Sequence, residues 1–231
     1  MLELLQEIAV VQSTESSNRI EGIKVSNQKL KEIMAKKTTP RDRSEAEISG
    51  YRDVLTTIHA SAGHIPVKPQ TIKQIHRDMY KYLPQEGGKW KSTNNVIEEI
   101  LPDSTKAIRF KPVEAFMVPQ AMDELCSDFN AFRENEKGED LLLILSFVLD
   151  FLCIHPFLDG NGRMLRLLTL LLLYQAGFEV GRFISLERII EESKETYYDA
   201  LYKSSQGWHE DKHDPFAWLE YSLGVMTAGR L

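Results

Sequence analysis

The stretch His155-Pro156-Phe157-Leu158-Asp159-Gly160-Asn161-Gly162-Arg163-Met164-Leu165-Arg166 holds the side chains that phosphate chemistry needs. Pro156 cannot continue a helix, so the apolar run at 141–154 is predicted to end at His155. A glycine-rich turn then feeds the next helix, whose first turn presents unpaired N–H groups and partial positive charge to an anion. Gly160 and Gly162 let the backbone curl and approach a ligand closely, and Asn161 adds an amide donor. Arg163 and Arg166, three apart, project from one side of that helix. Asp159 sits at the mouth, where a lone carboxylate beside phosphates is what magnesium commonly takes from a protein. His155 is the group there that can accept a proton near neutral pH. A base, a metal carboxylate, an anion nest and two arginines make the apparatus of phosphoryl or nucleotidyl transfer.

The elements that must position this loop read as mainly helical. Apolar spacing predicts a short helix at 2–11 followed by a polar segment at 12–18, then helices at 43–60, 69–82, 113–135, 139–154, 164–176, 186–204 and 215–226. Gly177 closes the helix at 164–176 as the residue just past its end. Residues 83–112 differ: prolines, two glycines and β-leaning pieces at 90–100 and 107–110 predict a hairpin flap turning near Pro102-Asp103-Ser104. The division expected is N-terminal helices over 1–82 and a catalytic core over 83–231 with the flap at about 89–112, folded as one continuous globular unit.

The bulk numbers agree with a folded catalytic domain. Apolar residues make up 42% of the 231 positions and charged residues 27%, which excludes wholesale disorder. A net charge of −6 argues against a nucleic-acid coat, which needs a positive footprint. Cys126 and Cys153 lie in apolar helical stretches and read as buried thiols, neither a disulfide framework nor a zinc site. The N-terminus lacks a basic leader, and no apolar run reaches the ~20 residues of a membrane span, so a cytoplasmic protein is expected.

The loop at 155–166 resembles the core motif of the Fic family, H-x-F-x-[D/E]-G-N-[G/K]-R-x-x-R, at every specified position. The flap region and the tail Asp214-Pro215-Phe216-Ala217-Trp218 are similar to the same family more loosely. The resemblance implies a helical bundle with a β-hairpin flap beside the active site. It also implies transfer of AMP from ATP to a Ser, Thr or Tyr hydroxyl of a target protein, and of the chain itself. On it, His155 would deprotonate the hydroxyl and Phe157 would anchor the loop. Asp159 would hold magnesium, with manganese as an alternative ion. Gly160, Asn161 and Gly162 would cradle the α- and β-phosphates, Arg163 would steady the chain of phosphates, and Arg166 would take the γ-phosphate. Gly162 favours AMP transfer, because the phosphate-transferring relatives resemble the Lys variant there; UTP and CDP-choline remain alternative donors. Tyr198, and less so Tyr197, would line the base, while Ser205 stands where some relatives have an Asn. The flap at 96–100 would hold an extended target segment by strand addition.

Upstream, Ser17-Asn18-Arg19-Ile20-Glu21-Gly22 resembles the inhibitory motif [S/T]-x-x-x-E-[G/N] of Fic proteins regulated by an N-terminal helix. Ser17 and Glu21 are four apart and share a helical face. Glu21 is expected to pair with Arg166 and occupy the guanidinium that the γ-phosphate needs. Removal of AMP, and a silent nucleotide-binding module, stay open as alternatives. Many relatives carry a C-terminal winged helix. With a negative net charge and the sequence stopping at Leu231, no nucleic-acid partner is expected for these residues, and a winged helix in a longer parent is left open. No membrane partner is expected, and a homodimer is left open.

Overall fold

The computed structural model describes residues 2–83, 87–100, 105–135 and 139–228. Ten α-helices and one small two-stranded sheet are present among them. In chain order the elements are α1 (Leu2–Ile20), α2 (Asn27–Met34), α3 (Arg43–Ser61), α4 (Pro69–Met79), β1 (Ile97–Ile100), β2 (Lys106–Phe110), α5 (Val118–Asn135), α6 (Asp140–Ile154), α7 (Asn161–Gln175), α8 (Leu186–Glu192), α9 (Lys194–Ser205) and α10 (Phe216–Ala228). The fold is therefore mainly α with a small antiparallel hairpin.

Local chemistry starts several of these helices. Ser26 caps α2 by accepting from Lys29 N–H, and the Asp42 carboxylate caps α3 by accepting from Glu45 N–H at 2.9 Å. Pro69 opens α4 at a position where its missing N–H costs nothing. The centre of the bundle is α6 packed on α7, apolar on nearly every face: Phe147, Val148, Phe151, Leu167, Leu168 and Leu171 are all buried. Helices apolar all round are core helices. Around them α3, α4, α5, α9 and α10 complete one continuous apolar cluster that draws on both the N-terminal helices and the later part of the chain.

Three expectations need correction, and one helix lies outside the expected set. The first helix does not stop at residue 11; α1 continues to Ile20, and the small polar residues Ser13, Ser16, Ser17 and Asn18 are its buried face. Small polar side chains can be buried where acceptors meet them: Ser13 Oγ donates to Ser185 Oγ at 3.0 Å, and Asn18 Nδ2 donates to Thr14 O at 2.8 Å. Its apolar start is instead exposed at Leu2, Leu4, Leu5 and Ile8. Helix α2, capped by Ser26 and burying Leu30 and Ile33, is not among the expected helices. The predicted helix at 186–204 is two, α8 and α9, divided at Ser193, whose Oγ donates back to Ile189 O. The first flap strand is shorter than the β-leaning stretch at 90–100, because Trp90 and Lys91 pack inward beside the loop and pairing begins only at Ile97 opposite Phe110, while the second matches its expected place at 107–110. The turn predicted at Pro102–Ser104 lies outside the described residues.

Candidate active site

Helix α6 ends at His155, which adopts the left-handed conformation at φ 50°, ψ 62°. That conformation disfavours any side chain other than glycine by about 1–2 kcal/mol, so surrounding contacts must enforce it. The next residues form a tight knot. Phe157 is fully buried, stacked on the His76 ring at 3.7 Å between centroids and flanked by Trp90. The Asn161 side chain is spent inside the knot: Oδ1 accepts from Phe157 N–H at 3.0 Å and Nδ2 donates to Phe157 O at 2.8 Å. Asn161 thus shapes the loop, and only its backbone remains for an anion.

His76 secures the loop from α4. Its Nδ1 accepts from Gly88 N–H at 2.9 Å, so the proton of the neutral ring lies on Nε2, 3.0 Å from Asp159 O. Burial, assisted by the Arg163 charge, lowers its pKa to about 4. Gly160 then turns the chain at φ 81° and begins α7, with its N–H donating to Asp159 Oδ1 at 2.7 Å.

Asp159 is exposed at the mouth. Burial acts to raise its pKa, but the Arg163 guanidinium, the Tyr80 hydroxyl and Gly160 N–H outweigh it, so the carboxyl is held below its usual range. Its Oδ2 meets Arg43 at 3.0 Å. Among the described residues no group of three or more His, Cys, Asp or Glu side chains could form a metal cage. One ionised oxygen ligand at a helix N-terminus fits magnesium held jointly with ligand phosphates and water, and does not fit zinc.

The two arginines have different fates. Arg163 is buried, paired with Glu47 at 2.6 Å and donating to Tyr80 O–H at 2.7 Å. It ties α7 to α3 and α4 and does not line the open pocket. Arg166, also buried, reaches α1. Its Nε donates to Ser17 Oγ at 2.8 Å, and Nη2 donates to Ser17 O at 2.9 Å and Glu21 Oε1 at 2.7 Å. Burial opposes the Arg166 charge, but Glu21 more than compensates and raises its pKa. A Cβ at Gly162 would overlap Glu21 Oε1 and sit 3.5 Å from Arg166 Nη1, so glycine lets these three groups meet.

His155, Gly162, Glu21 and Tyr198 line one open pocket of about 470 Å³, together with Ser205 and flap residues Asn95, Val96 and Ile97. That is within the range of small-molecule sites. Tyr197 adjoins the same pocket but is buried against Trp218 and Tyr221. Burial first, then the Lys91 ammonium, push the His155 pKa down to about 4, against the opposing pull of Glu21 and Asp159. The ring is neutral at pH 7 and able to accept a proton. Sequence reasoning missed Lys91, His76, Tyr80, Glu47 and Arg43, which support the loop from segments distant in the chain.

The pieces define a helical domain with a neutral histidine above a glycine-opened helix N-terminus, and the comparisons give it a family. Residues 66–173 match the Fic/DOC family, and the chain carries a Fic/DOC family domain. A protein adenylyltransferase Fic from Nematostella vectensis is 25% identical over 205 residues, covering 83% of this chain and 42% of that protein. Among solved structures, a Fic family protein from Desulfovibrio desulfuricans G20 superposes with a TM-score of 0.75 at 22% identity, over 99% of this chain and 65% of that one. A Fic domain containing signaling protein from Bacteroides thetaiotaomicron VPI-5482 gives 0.78 at 18%, over 99% and 87%. The chain spans less than half the length of the curated relatives it matches. No described helix is long and apolar enough to cross a membrane.

Proposed function

We propose that this chain transfers AMP from ATP to a Ser, Thr or Tyr hydroxyl of a protein, and that Glu21 restrains the reaction. The observation that carries this reading is the neutral His155, lining the same pocket as Gly162 at the start of α7. The activity named for the Nematostella vectensis relative is in keeping with it. The target's polypeptide lies along the flap, with the acceptor hydroxyl against His155. His155 takes the hydroxyl proton as the oxygen attacks the α-phosphorus. The new bond is P–O to the target, the bond to the β-phosphate oxygen breaks, and pyrophosphate leaves. Backbone N–H groups of Asn161 and Gly162 hold the phosphates, and Arg166, released from Glu21, takes the γ-phosphate. Tyr198 faces the base. Asp159, released from Arg43, would hold magnesium, which neutralises phosphate charge when bound.

Glu21 also lines the pocket beside His155, and this favours one second reading: the carboxylate orients a water that removes AMP from a modified protein. The test incubates the chain and its Glu21→Gly variant with ATP labelled at the α or the γ position, with His155→Ala as control. AMP transfer predicts protein-bound label from α-ATP only, lost in His155→Ala. Label from γ-ATP alone refutes it, and release of AMP from a pre-modified protein by wild type, but not Glu21→Gly, supports the second reading.

A further inference from the structure

Lys91 is 3% exposed, although lysine is among the residues least often buried. Its backbone N–H donates to Pro156 O at 2.8 Å, and its Nζ donates to Ile154 O at 3.3 Å and Asn95 Oδ1 at 2.9 Å. The two carbonyls are those on either side of His155. We infer that Lys91 is a positioning residue for the transfer reaction, gripping the backbone on both flanks of His155 and fixing how that ring faces the pocket. This rests on the AMP-transfer reading above.

Three observations converge on the inference. His155 holds a left-handed backbone that persists only where neighbours over-determine it, and Lys91 supplies an anchor before it and another after it. Ile154 O also belongs to the last turn of α6, where carbonyls lack a helical partner and a cation is favoured. Burial lowers the Lys91 pKa only to about 8, so the side chain stays cationic at neutral pH. Its charge disfavours a second proton on the adjacent imidazole and keeps the base ready. Glu21 at the end of α1 and Asp159 in the loop act in the opposite sense. The Tyr197 and Tyr198 phenols of α9, Arg109 of β2 and Cys153 of α6 complete the groups around the pocket.

Lys91 also joins the base to the flap. Asn95, its side-chain partner, lies two residues before β1 and lines the pocket, and neighbouring Asn94 accepts from Ala115 N–H at 2.8 Å. The grip on His155 and the start of the target-facing flap are therefore one braced segment. A lysine that only filled space at the end of α6 would affect stability, with kcat falling only in step with the loss of folded protein.

The experiment compares Lys91→Met and Lys91→Arg in the Glu21→Gly background, reading kcat, KM for ATP and the His155 titration by NMR. Misplacement of a catalytic group by about 1 Å costs on the order of 100-fold, so Lys91→Met is expected to lower kcat about 10–100-fold while KM changes by less than about threefold. The His155 midpoint should rise by about one unit as a neighbouring positive charge is lost. Lys91→Arg, which retains charge and donors, should recover most of both. An unmoved His155 midpoint in folded Lys91→Met, with activity lost only in step with folding, overturns the inference. If Lys91→Met does not fold, Lys91→Gln, which removes the charge but keeps a polar donor, is read by the same titration, an unmoved midpoint and kcat again counting against. Absence of α-label transfer in every protein, Glu21→Gly included, defeats the AMP-transfer reading instead, and the titration still decides whether Lys91 acts on His155.

Discussion

Glu21→Gly removes one of the three hydrogen bonds that hold Arg166. The Nε bond to Ser17 Oγ and the Nη2 bond to Ser17 O survive, so the guanidinium remains aimed at Gly162 and loses only its carboxylate. A hydrogen bond to a charged group contributes about 1.5–3 kcal/mol. The Glu21 side chain is 30% exposed, which places this one toward the lower half of that range. At 1.36 kcal/mol per factor of ten, release should accelerate transfer from α-labelled ATP by about 10–50-fold. Glu21→Gln, which keeps shape without charge, should fall between wild type and Glu21→Gly. The same contact also stabilises the fold. Its loss should lower Tm by about 3–10 °C, and magnesium–ATP should recover part of that by supplying a new anion to Arg166. Initial rates at saturating ATP, alongside thermal melts with and without the nucleotide, test both sides. If folded Glu21→Gly transfers AMP no faster than wild type while binding ATP equally well, the contact is structural and the restraint is refuted.

Two further outcomes concern the scaffold. Glu47→Ala strands the buried Arg163 charge, which should cost about 3–5 kcal/mol and appear as a fall in urea midpoint not repaired by ATP. His76 is held neutral by burial, with a pKa of about 4 against an ordinary 6.5. The unfolded chain therefore binds its extra proton at the higher pH. Stability from the neutral ring is complete above about pH 6.5 and declines by about 3 kcal/mol as pH falls toward 4. Urea unfolding between pH 7 and 4.5 should show this loss, and His76→Phe should flatten part of it.

The catalytic loop was legible because its chemistry is local: a helix stop, glycines and charged residues follow one another at fixed spacing. Periodicity likewise revealed α3, α5 and α6. What stayed hidden depends on pairing across the chain. Ser13 and Ser16 read as part of a polar segment, yet both are buried in α1, and the Ser13 hydroxyl is met by Ser185, 172 residues away. Lys91 in a flap rich in polar residues gives no sign that its ammonium will reach the carbonyl of Ile154. Glu47 looks like one more charge on the outside of an amphipathic helix, and only the fold sets it against Arg163.

The contrast between the two motif arginines indicates where control can reside. Arg163 is enclosed with Glu47, whose side chain is 4% exposed, and with a buried Tyr80, so exchanging partners would require α3 and α4 to separate from α7. Arg166 is equally buried, but its counter-ion Glu21 lies one residue beyond the end of α1, partly in solvent and directly before Gly22 at φ 81°. Moving that carboxylate requires rotation at a helix terminus and leaves the core intact. A phosphate could thus compete for Arg166 at the cost of one charged hydrogen bond, whereas Arg163 is fixed by the fold. Two arginines three residues apart on one helix differ in the freedom of their counter-ions, Glu47 inside the core and Glu21 at a helix end.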